Sequence, residues 1–495
     1  MQMIRPRRKS SLDRIEPHVK RVAIVIVLGS IMSILDTTIV NVALDSLSRD
    51  LHTPLNNIQW VVSAYLLALA AVIPLSGWAV RRFGAFRVYM MSLILFTLGS
   101  GLCALASSAS ELIAFRALQG IGGGMLVPTG LTILVRAAGP TNLPKVMAAI
   151  GVPTVLAPVF GPTLGGVLLQ SVGWHAIFVI NVPIGIGTAL VAMRLLPRDR
   201  PEDGSAGRLD WPGLILAAAG TVGITYGLSE SATAGSFTAS SVVLPVVLGI
   251  ALLIAFVLRA RRISYPLLDL GLYRLRAYAS ASVVMFCLGG ALFASLVLLP
   301  LYFQVARGED AIHTGLLLIP QGLGAAIGMN RSAQATRRFG AGLTSMCGGV
   351  ILVLGTIPYL FVGAKTSFVF IGAVMVVRGA GVGLALMPAM TAAFSILSHD
   401  QINDASPQLN VIQRVGGSLG TAVVAVIVQD KLAHLGSHPT AHAVAATFGQ
   451  TYVWVIGMSV VALFPSVVLW RVERRTRAQG LEVEVGEEAL VEALA

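Results

Sequence analysis

Two charged side chains stand inside long apolar runs, where ionised groups are rarely found. Asp36 lies in the run that begins near Val22, and Arg116 lies in a later one, FRALQGIGGGMLVP. A charge in such a setting is costly unless it faces a cavity or a partner. Desolvation favours the neutral acid, whereas a nearby cation favours the carboxylate, so an acid that alternates between these surroundings can load and release a proton. Asp36 is therefore a candidate for proton coupling. The alternative is a structural carboxylate bonded to Thr37, Asn41 or a neighbouring helix.

The composition indicates what elements hold these charges. Of the 495 residues, 55% are hydrophobic and only 12% are charged, and the mean hydropathy is +0.81. The apolar residues form continuous runs of about 20, the length that crosses a bilayer as a helix. We therefore predict an all-α polytopic membrane protein with fourteen transmembrane helices. The predicted spans are 22–44, 58–80, 88–107, 111–135, 145–169, 174–196, 212–229, 240–258, 278–305, 311–330, 342–363, 368–396, 405–429 and 450–471.

The basic residues predict the orientation in the membrane. Most arginines of the short loops fall on one side, including Arg82, Arg208, Arg274 and Arg337, and few lysines or arginines fall on the other. Cytoplasmic loops carry the excess of Lys and Arg, so both termini are expected in the cytoplasm. The net charge of +12 is thus explained by topology, and nucleic-acid binding is not expected.

Three short motifs of the first half of the chain return in the second half, in the same order and at nearly constant spacing. We call each later copy an echo. RRFGA at Arg81–Ala85 returns at Arg337–Ala341, an offset of 256. QGIGGG and GPTLGG return in weaker form at offsets of 259 and 255. Parallel repeats of this kind are typical of secondary transporters with a central substrate site. We predict two six-helix bundles joined by two extra central helices. The expected segments are a cytoplasmic N-terminus (1–21), the first bundle (22–196), a linker with the extra helices (197–277), the second bundle (278–471) and a cytoplasmic tail (472–495).

The sequence gives little indication of a metal site, of enzyme activity or of nucleotide-driven transport. Cys103, Cys287 and Cys347 lie in apolar runs without metal-ligand spacing, so neither a disulfide nor a metal site is expected. The eight histidines are scattered and mostly in loops, which makes a membrane enzyme a weak reading. The chain has no GxxxxGK[ST] pattern, and no cofactor is expected. Energy for transport would then come from an ion gradient.

Five stretches carry a resemblance to a known family: LDTTIVNVAL, GWAVRRFGAFR, FRALQGIGGGMLVP, GVPTVLAPVFGPTLGG and WHAIFVINVPIGI. LPLYFQ, at residues 299–304, is typical of the same group. Over nearly its whole length the chain resembles the fourteen-helix drug:proton antiporters of the major facilitator superfamily. The resemblance implies a proton-coupled multidrug exporter in the bacterial cytoplasmic membrane, associated with antibiotic resistance. Its expected partners are a lipophilic small molecule, protons and membrane lipid, and we expect a monomer. Export of a lipid or of an endogenous secreted metabolite is the alternative.

The resemblance also assigns roles to residues. Arg116 is implied in proton transfer, by tuning a nearby acid or water, although a helix–helix clamp bonded to backbone carbonyls would explain it too. Hinge or gating glycines and a proline are implied in the fourth and fifth helices, although small-residue packing alone would give a similar pattern: Gly120, Gly124, Gly161, Pro162, Gly165 and Gly166. The basic loop and its echo are expected to latch the cytoplasmic ends of helices: Gly77, Arg81, Arg82, Gly84, Arg87, Arg337 and Arg338. Side chains expected near the substrate cavity are Trp60, Tyr65, Phe303, Gln304, Gln321, Arg378 and Asn410.

Two positions depart from the family pattern. Arg81 replaces the usual Asp of the loop, which puts the family's charge relay in doubt here. Ser63 replaces an acid that some relatives carry in the second helix, so any coupling that needs that acid is not possible.

Overall fold

The computed structural model describes residues 16–199, 207–263, 265–435 and 440–478. Within these ranges the chain is helical and contains no β-strand. The predicted N-terminal segment up to residue 15, residues 200–206 near the start of the predicted linker and the tail from 479 onward lie outside the described residues.

Eighteen α-helices occupy the described ranges, and we number them in chain order. A first helix group, α1–α9, has these bounds: α1 Pro17–Ile39, α2 Leu44–Asp50, α3 Leu55–Ile58, α4 Trp60–Val72, α5 Leu75–Phe83, α6 Ala85–Leu105, α7 Ala109–Ser171, α8 His175–Val179 and α9 Asn181–Leu195. A central pair follows: α10 Trp211–Ala234 and α11 Ser240–Ala260. A second helix group, α12–α18, completes the chain: α12 Arg276–Leu301, α13 Ala311–Phe339, α14 Ala341–Thr356, α15 Phe368–Phe394, α16 His399–Ala433, α17 Ala441–Val461 and α18 Leu463–Ala478.

Twelve helices of the described chain are long and apolar enough to cross a membrane, or up to thirteen if the bent pair α4–α5 is one span. The two members of that pair meet at 57°. Helix α7 is broken at Gly139, whose φ of 62° interrupts the helical backbone, so it has two limbs. The predicted all-helical, multi-pass architecture is confirmed, and the predicted number of fourteen is not. The difference arises at span 58–80, which is bent, and at span 145–169, the second limb of α7, which is not among the twelve.

The central pair lies against both helix groups. Helix α10 contacts α4 of the first group and α16 of the second, and α11 packs on α10. Trp60 of α4 stacks on Tyr226 of α10 at 6.0 Å between ring centroids. On the other side, Ile224 and Leu228 pack with Ala422 of α16. The pair therefore covers one edge of the boundary between the two groups, which we call the seam.

The apolar core is shared by the two helix groups near one face of the membrane and divided between them near the other. At the basic face, defined here as the face with the loops around 81–87, 259–276 and 337–341, one continuous core joins the two groups. It includes Met32, Leu126, Met147, Tyr278, Met329, Met387 and Leu409. Toward the opposite face the core separates into one cluster for each group. The first contains Ile39, Leu47, Val61, Leu112 and Phe178, and the second contains Leu298, Phe303, Tyr359, Val424 and Phe448.

The internal echoes correspond to matching places in the two groups. Gly120 of α7 faces the backbone of Tyr65 in α4, and Gly379 of α15 faces the backbone of Gln321 in α13. In each case an added Cβ would collide with a carbonyl oxygen, so both glycines permit close helix approach. The partners are separated by the same 256 residues as the RRFGA echo. Gly122 and Gly381 repeat this relation against Ser92 and Phe96 in one group and Gly348 and Leu352 in the other.

A carboxylate closes each RRFGA turn at the basic face. Gly84 has φ +85°, a conformation that L side chains rarely adopt, and α6 begins directly after it. Asp199 accepts hydrogen bonds from the free backbone amides of Ala85 (2.6 Å) and Phe86 (3.0 Å). The negative charge at a helix N-terminus also complements the helix dipole.

The second group contains the same carboxylate cap at a helix start. Gly340 has φ +94°, and Glu473 of α18 accepts from the amides of Ala341 (2.8 Å) and Gly342 (2.6 Å). The two capping acids come from the segments that follow α9 and α17, so each ties the end of its group to an internal helix start.

Replacement of Asp199 by alanine should lower the free energy of unfolding by about 1–2 kcal/mol, because the two amides lose their acceptor. Asp199→Asn keeps a side-chain oxygen and is the matched control. The midpoint of thermal unfolding of the purified protein in detergent would measure both. Equal midpoints for the alanine and asparagine variants would show that the cap does not stabilise the fold.

Candidate functional site

Asp36 is buried inside the first helix group, with only 1% of its surface exposed. Its Oδ2 forms an ion pair with Nη1 of Arg116 from α7. Its Oδ1 accepts hydrogen bonds from Nε2 of Gln119 (3.0 Å) and from Nδ2 of Asn181 in α9 (3.1 Å). Both oxygens thus face N–H donors from two other helices. The alternative partners considered from the sequence, Thr37 and Asn41, bond to backbone carbonyls of their own helix instead.

Arg116 is fully buried and makes contacts beyond the acid. Its Nε donates to the carbonyl of Val61 in α4 (3.0 Å), and its Nη1 also donates to Oε1 of Gln119 (2.7 Å). The guanidinium lies over the Tyr65 ring at 4.1 Å, a favourable cation–π distance. Its Nη2 is buried with no hydrogen-bond partner among the described residues. Arg116 therefore acts as a clamp between helices and as the counter-ion of Asp36 in the same conformation.

Three polar side chains that the sequence reasoning did not single out complete this cluster. Besides Gln119 and Asn181, Ser100 of α6 accepts from Nδ2 of Asn181 (3.1 Å) and donates to the carbonyl of Phe178 (2.9 Å). A signal was present for two of them, since Gln119 lies in the QGIGGG echo and Asn181 in the stretch WHAIFVINVPIGI. We call Asp36, Ser100, Arg116, Gln119 and Asn181 the buried polar cluster.

The corresponding place in the second group is charged differently. Gly99 contacts Gln119, and its counterpart Gly355 contacts Arg378, so Arg378 occupies the position of Gln119. Arg378 is fully buried, and its Nη2 donates to the carbonyl of Ala291 (3.1 Å). Its Nε and Nη1 find no hydrogen-bond partner in the described chain. The helix packing is thus repeated, whereas the buried ion pair of the first group has no counterpart at Arg378 among the described residues.

An ion pair joins the two groups at the basic face. Arg81 of α5 bonds Asp404 of α16 at 2.5 Å, and both side chains are 12% exposed. Close by, the Ser406 hydroxyl donates to the carbonyl of Pro128 in α7 (2.8 Å). Gly77 packs against the backbone of Asn403, where an added Cβ would lie 2.8 Å from a carbonyl oxygen. Arginine in place of the family Asp thus has a partner of its own in this chain.

The other basic side chains of the expected latch lie at the surface. Arg82, Arg87, Arg337 and Arg338 are exposed. Arg338 lies over the Phe339 ring at 5.1 Å. Gly84 belongs to the capped turn described above.

The glycines expected to gate bring particular helices together. Gly120 and Gly124 allow the first limb of α7 to approach α4, and Gly161 and Gly165 allow the second limb to approach α1. Gly166 faces Ile312 of α13, across the boundary between the groups, at 3.6 Å from an added Cβ. The side chain of Pro162 lies outside the described residues.

The seven side chains expected at the substrate cavity do not come together in this conformation. Tyr65 and Phe303 are buried within separate groups, and Trp60 packs on the central pair. Gln304 is exposed near the end of α12. Gln321 is buried in α13 with its Oε1 unbonded within the described ranges. Arg378 is fully buried in the second group, and the half-buried Asn410 of α16 donates a hydrogen bond to the carbonyl of Ser406 in its own helix.

Comparison with known proteins agrees with this architecture. The sequence model of the Major Facilitator Superfamily matches residues 26–421, which is most of the chain. The chain belongs to the Major Facilitator Superfamily. Among relatives within it, the multidrug resistance protein B homolog of Mycobacterium tuberculosis (strain H37Rv) is 38% identical over 448 residues, covering 90% of this chain and 83% of that protein.

Two solved structures share the fold at low sequence identity. The human organic anion transporter MFSD10 superimposes with a TM-score of 0.61 at 17% identity, covering 92% of this chain and all of that one. The proton:xylose symporter XylE superimposes with a TM-score of 0.60 at 14% identity, covering 92% and 96%. The chain is therefore a multi-pass facilitator-type membrane transporter, and the expectation that it is not an enzyme agrees with its family.

Proposed function

We propose that this transporter exports lipophilic drugs or amphipathic metabolites across the bacterial cytoplasmic membrane in exchange for protons. The observation that carries the proposal is the core that is continuous at the basic face and divided at the opposite face. A pair of rigid groups that meet at one face and part at the other corresponds to one of the two states of alternating access. The relative named a multidrug resistance protein supports drugs as the cargo.

The same proposal fixes the topology. Twelve helices qualify as spans by length and composition. We add the bent pair α4–α5 and the second limb of α7, which gives fourteen transmembrane spans. With the basic face in the cytoplasm, both termini lie there. The moving bodies are then 22–196 and 278–471, and the central pair between them follows their seam. In this assignment the described conformation is closed to the cytoplasm.

The buried polar cluster is the proposed proton site. Protonation of Asp36 would remove its charge and release Arg116 from the ion pair, so binding of a proton and rearrangement of α1, α7 and α9 are coupled. One proton that moves through about 100 mV supplies roughly 2.3 kcal/mol, and each pH unit adds about 1.4 kcal/mol. One or two protons could then sustain substrate gradients of about 10² to 10⁵.

The test is transport by the purified protein in proteoliposomes with an imposed pH gradient. We expect a lipophilic dye to accumulate against its concentration gradient only when the pH gradient is present, and an uncoupler to abolish this accumulation. Vesicles without protein are the control for passive permeation. Accumulation that persists without any proton gradient would contradict proton coupling. Movement of labelled native lipid, with no dye or antibiotic moved, would favour the lipid exporter.

A further inference from the structure

We propose that the cargo is an amphipathic anion and that Arg414 of α16 binds its acidic group. The inference rests on the proposed export function and names the class of solute within it: an apolar body with a carboxylate or sulfonate. The relevant observations are the position of Arg414, its lack of a partner and the charge balance around it.

Arg414 points across the seam between the two groups. Ser406, Asn410 and Arg414 are spaced four residues apart, so they share one face of α16. Ser406 already contacts Pro128 of the first group, which fixes the direction of that face. Arg414 lies about 12 Å further along the helix axis, close to the Tyr65 side chain of the first group.

The level of Arg414 in the membrane is where the shared core ends. On α16 the shared core reaches Leu409, and the separate cluster of the second group begins at Val424. On α1 the same transition lies between Met32 and Ile39, around Asp36. Arg414 therefore lies where the two groups begin to separate, at the level of the buried polar cluster, and we take this place as the floor of an opening between them. Residues 410–414 are all half-buried, as expected for a wall that is partly accessible.

Arg414 has no counter-ion in the described chain. It makes no hydrogen bond or ion pair with any described side chain, and its Nε is buried without a partner. The acid at this level, Asp36, is already engaged by Arg116. Arg378, which also has no acidic partner among the described residues, is fully buried in the second group and cannot meet a solute from the seam. The seam consequently presents an uncompensated positive charge.

A solute can supply the missing negative charge. A buried guanidinium without a counter-ion is costly in a low-dielectric setting, and its planar fork matches a carboxylate or sulfonate through two parallel hydrogen bonds. A cationic solute would meet repulsion from the same group. The apolar helices around the opening would contact the rest of an amphipathic molecule.

The experiment compares two dyes that share a xanthene core and differ in charge: anionic carboxyfluorescein and cationic rhodamine 6G. In proteoliposomes with a pH gradient, we expect the wild-type protein to transport the anionic dye in preference. Arg414→Gln should raise the apparent KM for the anionic dye about 10- to 100-fold, the loss expected for one charged hydrogen-bonding partner. It should leave transport of the cationic dye unchanged or increased. Arg414→Lys keeps the charge without the planar fork, so its apparent KM for the anionic dye should lie between those of the wild-type protein and Arg414→Gln.

The matched control is Arg331→Gln, which removes an exposed arginine of α13 and should change neither dye. Equal loss of both dyes in Arg414→Gln would overturn the proposal, as would a wild-type preference for the cation. Those results leave the export function intact, because some dye still moves with the gradient. Failure of every dye to move would instead reject the export function itself. If Arg414→Gln does not fold, Arg414→Lys provides the test. An unchanged ratio of its KM for the anionic dye to its KM for the cationic dye, relative to wild type, would then overturn the proposal.

Discussion

Asp36→Asn is expected to abolish proton-driven export while leaving the protein able to exchange dye down a gradient. The amide cannot carry the exchanged proton, and it would present N–H groups toward Arg116, Gln119 and Asn181, which are all donors to Asp36 now. Proteoliposomes with and without a pH gradient measure the two modes separately. Full gradient-driven accumulation by this variant would remove Asp36 from the coupling mechanism.

Stability is the complication in this experiment, and the structure suggests how to control it. Loss of one partner of a buried ion pair costs about 3–5 kcal/mol, since the other charge remains buried. The double variant Asp36→Asn, Arg116→Gln removes both charges and should recover most of that loss without recovering coupling. Asp210→Asn is the matched control. It disrupts a second largely buried acid, paired with Arg259 at 2.9 Å, and should lower stability without loss of proton-driven transport.

Arg81→Asp is expected to open the basic face. The substitution restores the acid usual in the family, but here it would place a carboxylate beside Asp404 in a nearly buried site. Repulsion between like charges there amounts to several kcal/mol, so the population open at the basic face should rise at least about 10- to 100-fold. Exchange of the two charges, Arg81→Asp with Asp404→Arg, should restore the closed population and transport.

Distances between spin labels on the two groups would measure this shift. Labels at the exposed positions 87 and 338 report on the basic face, and labels at 52 and 308 report on the opposite face. We expect the first distance to lengthen and the second to shorten in Arg81→Asp. Arg82→Asp changes the neighbouring exposed arginine and should move neither. Distances unchanged in Arg81→Asp, or a charge exchange that fails to restore them, would show that this pair does not hold the face closed.

These two predictions concern different elements of one cycle. The buried polar cluster joins α1, α7 and α9 within the first group, whereas the Arg81–Asp404 pair joins the groups. A proton at Asp36 would loosen the first set of contacts and thereby change how α7 meets α13 and α16 across the seam. Within the described ranges no acid pairs with Arg378, so we propose proton binding in the first group only.

Much of the architecture could be predicted from the sequence because it depends on local properties. Runs of about 20 apolar residues must become membrane helices, since backbone polar groups in lipid need internal partners. The RRFGA echo predicted a basic loop repeated in the two bundles, and the structure shows why glycine stands at its fourth position, where φ is near +90° in both copies. Asp36 and Arg116 stood out because isolated charges are rare in such runs.

The tertiary structure decided which of these residues meet. Asp36 and Arg116 are 80 positions apart, and Arg81 and Asp404 are 323 apart, so their pairing depends on how helices pack and not on any local pattern. The same packing placed Tyr65 over Arg116, sealed Arg378 and left Arg414 facing the seam, distinctions that residue type alone cannot make. Whether a core is shared or divided is likewise a property of the assembled helices, because the same apolar faces could pack in either state.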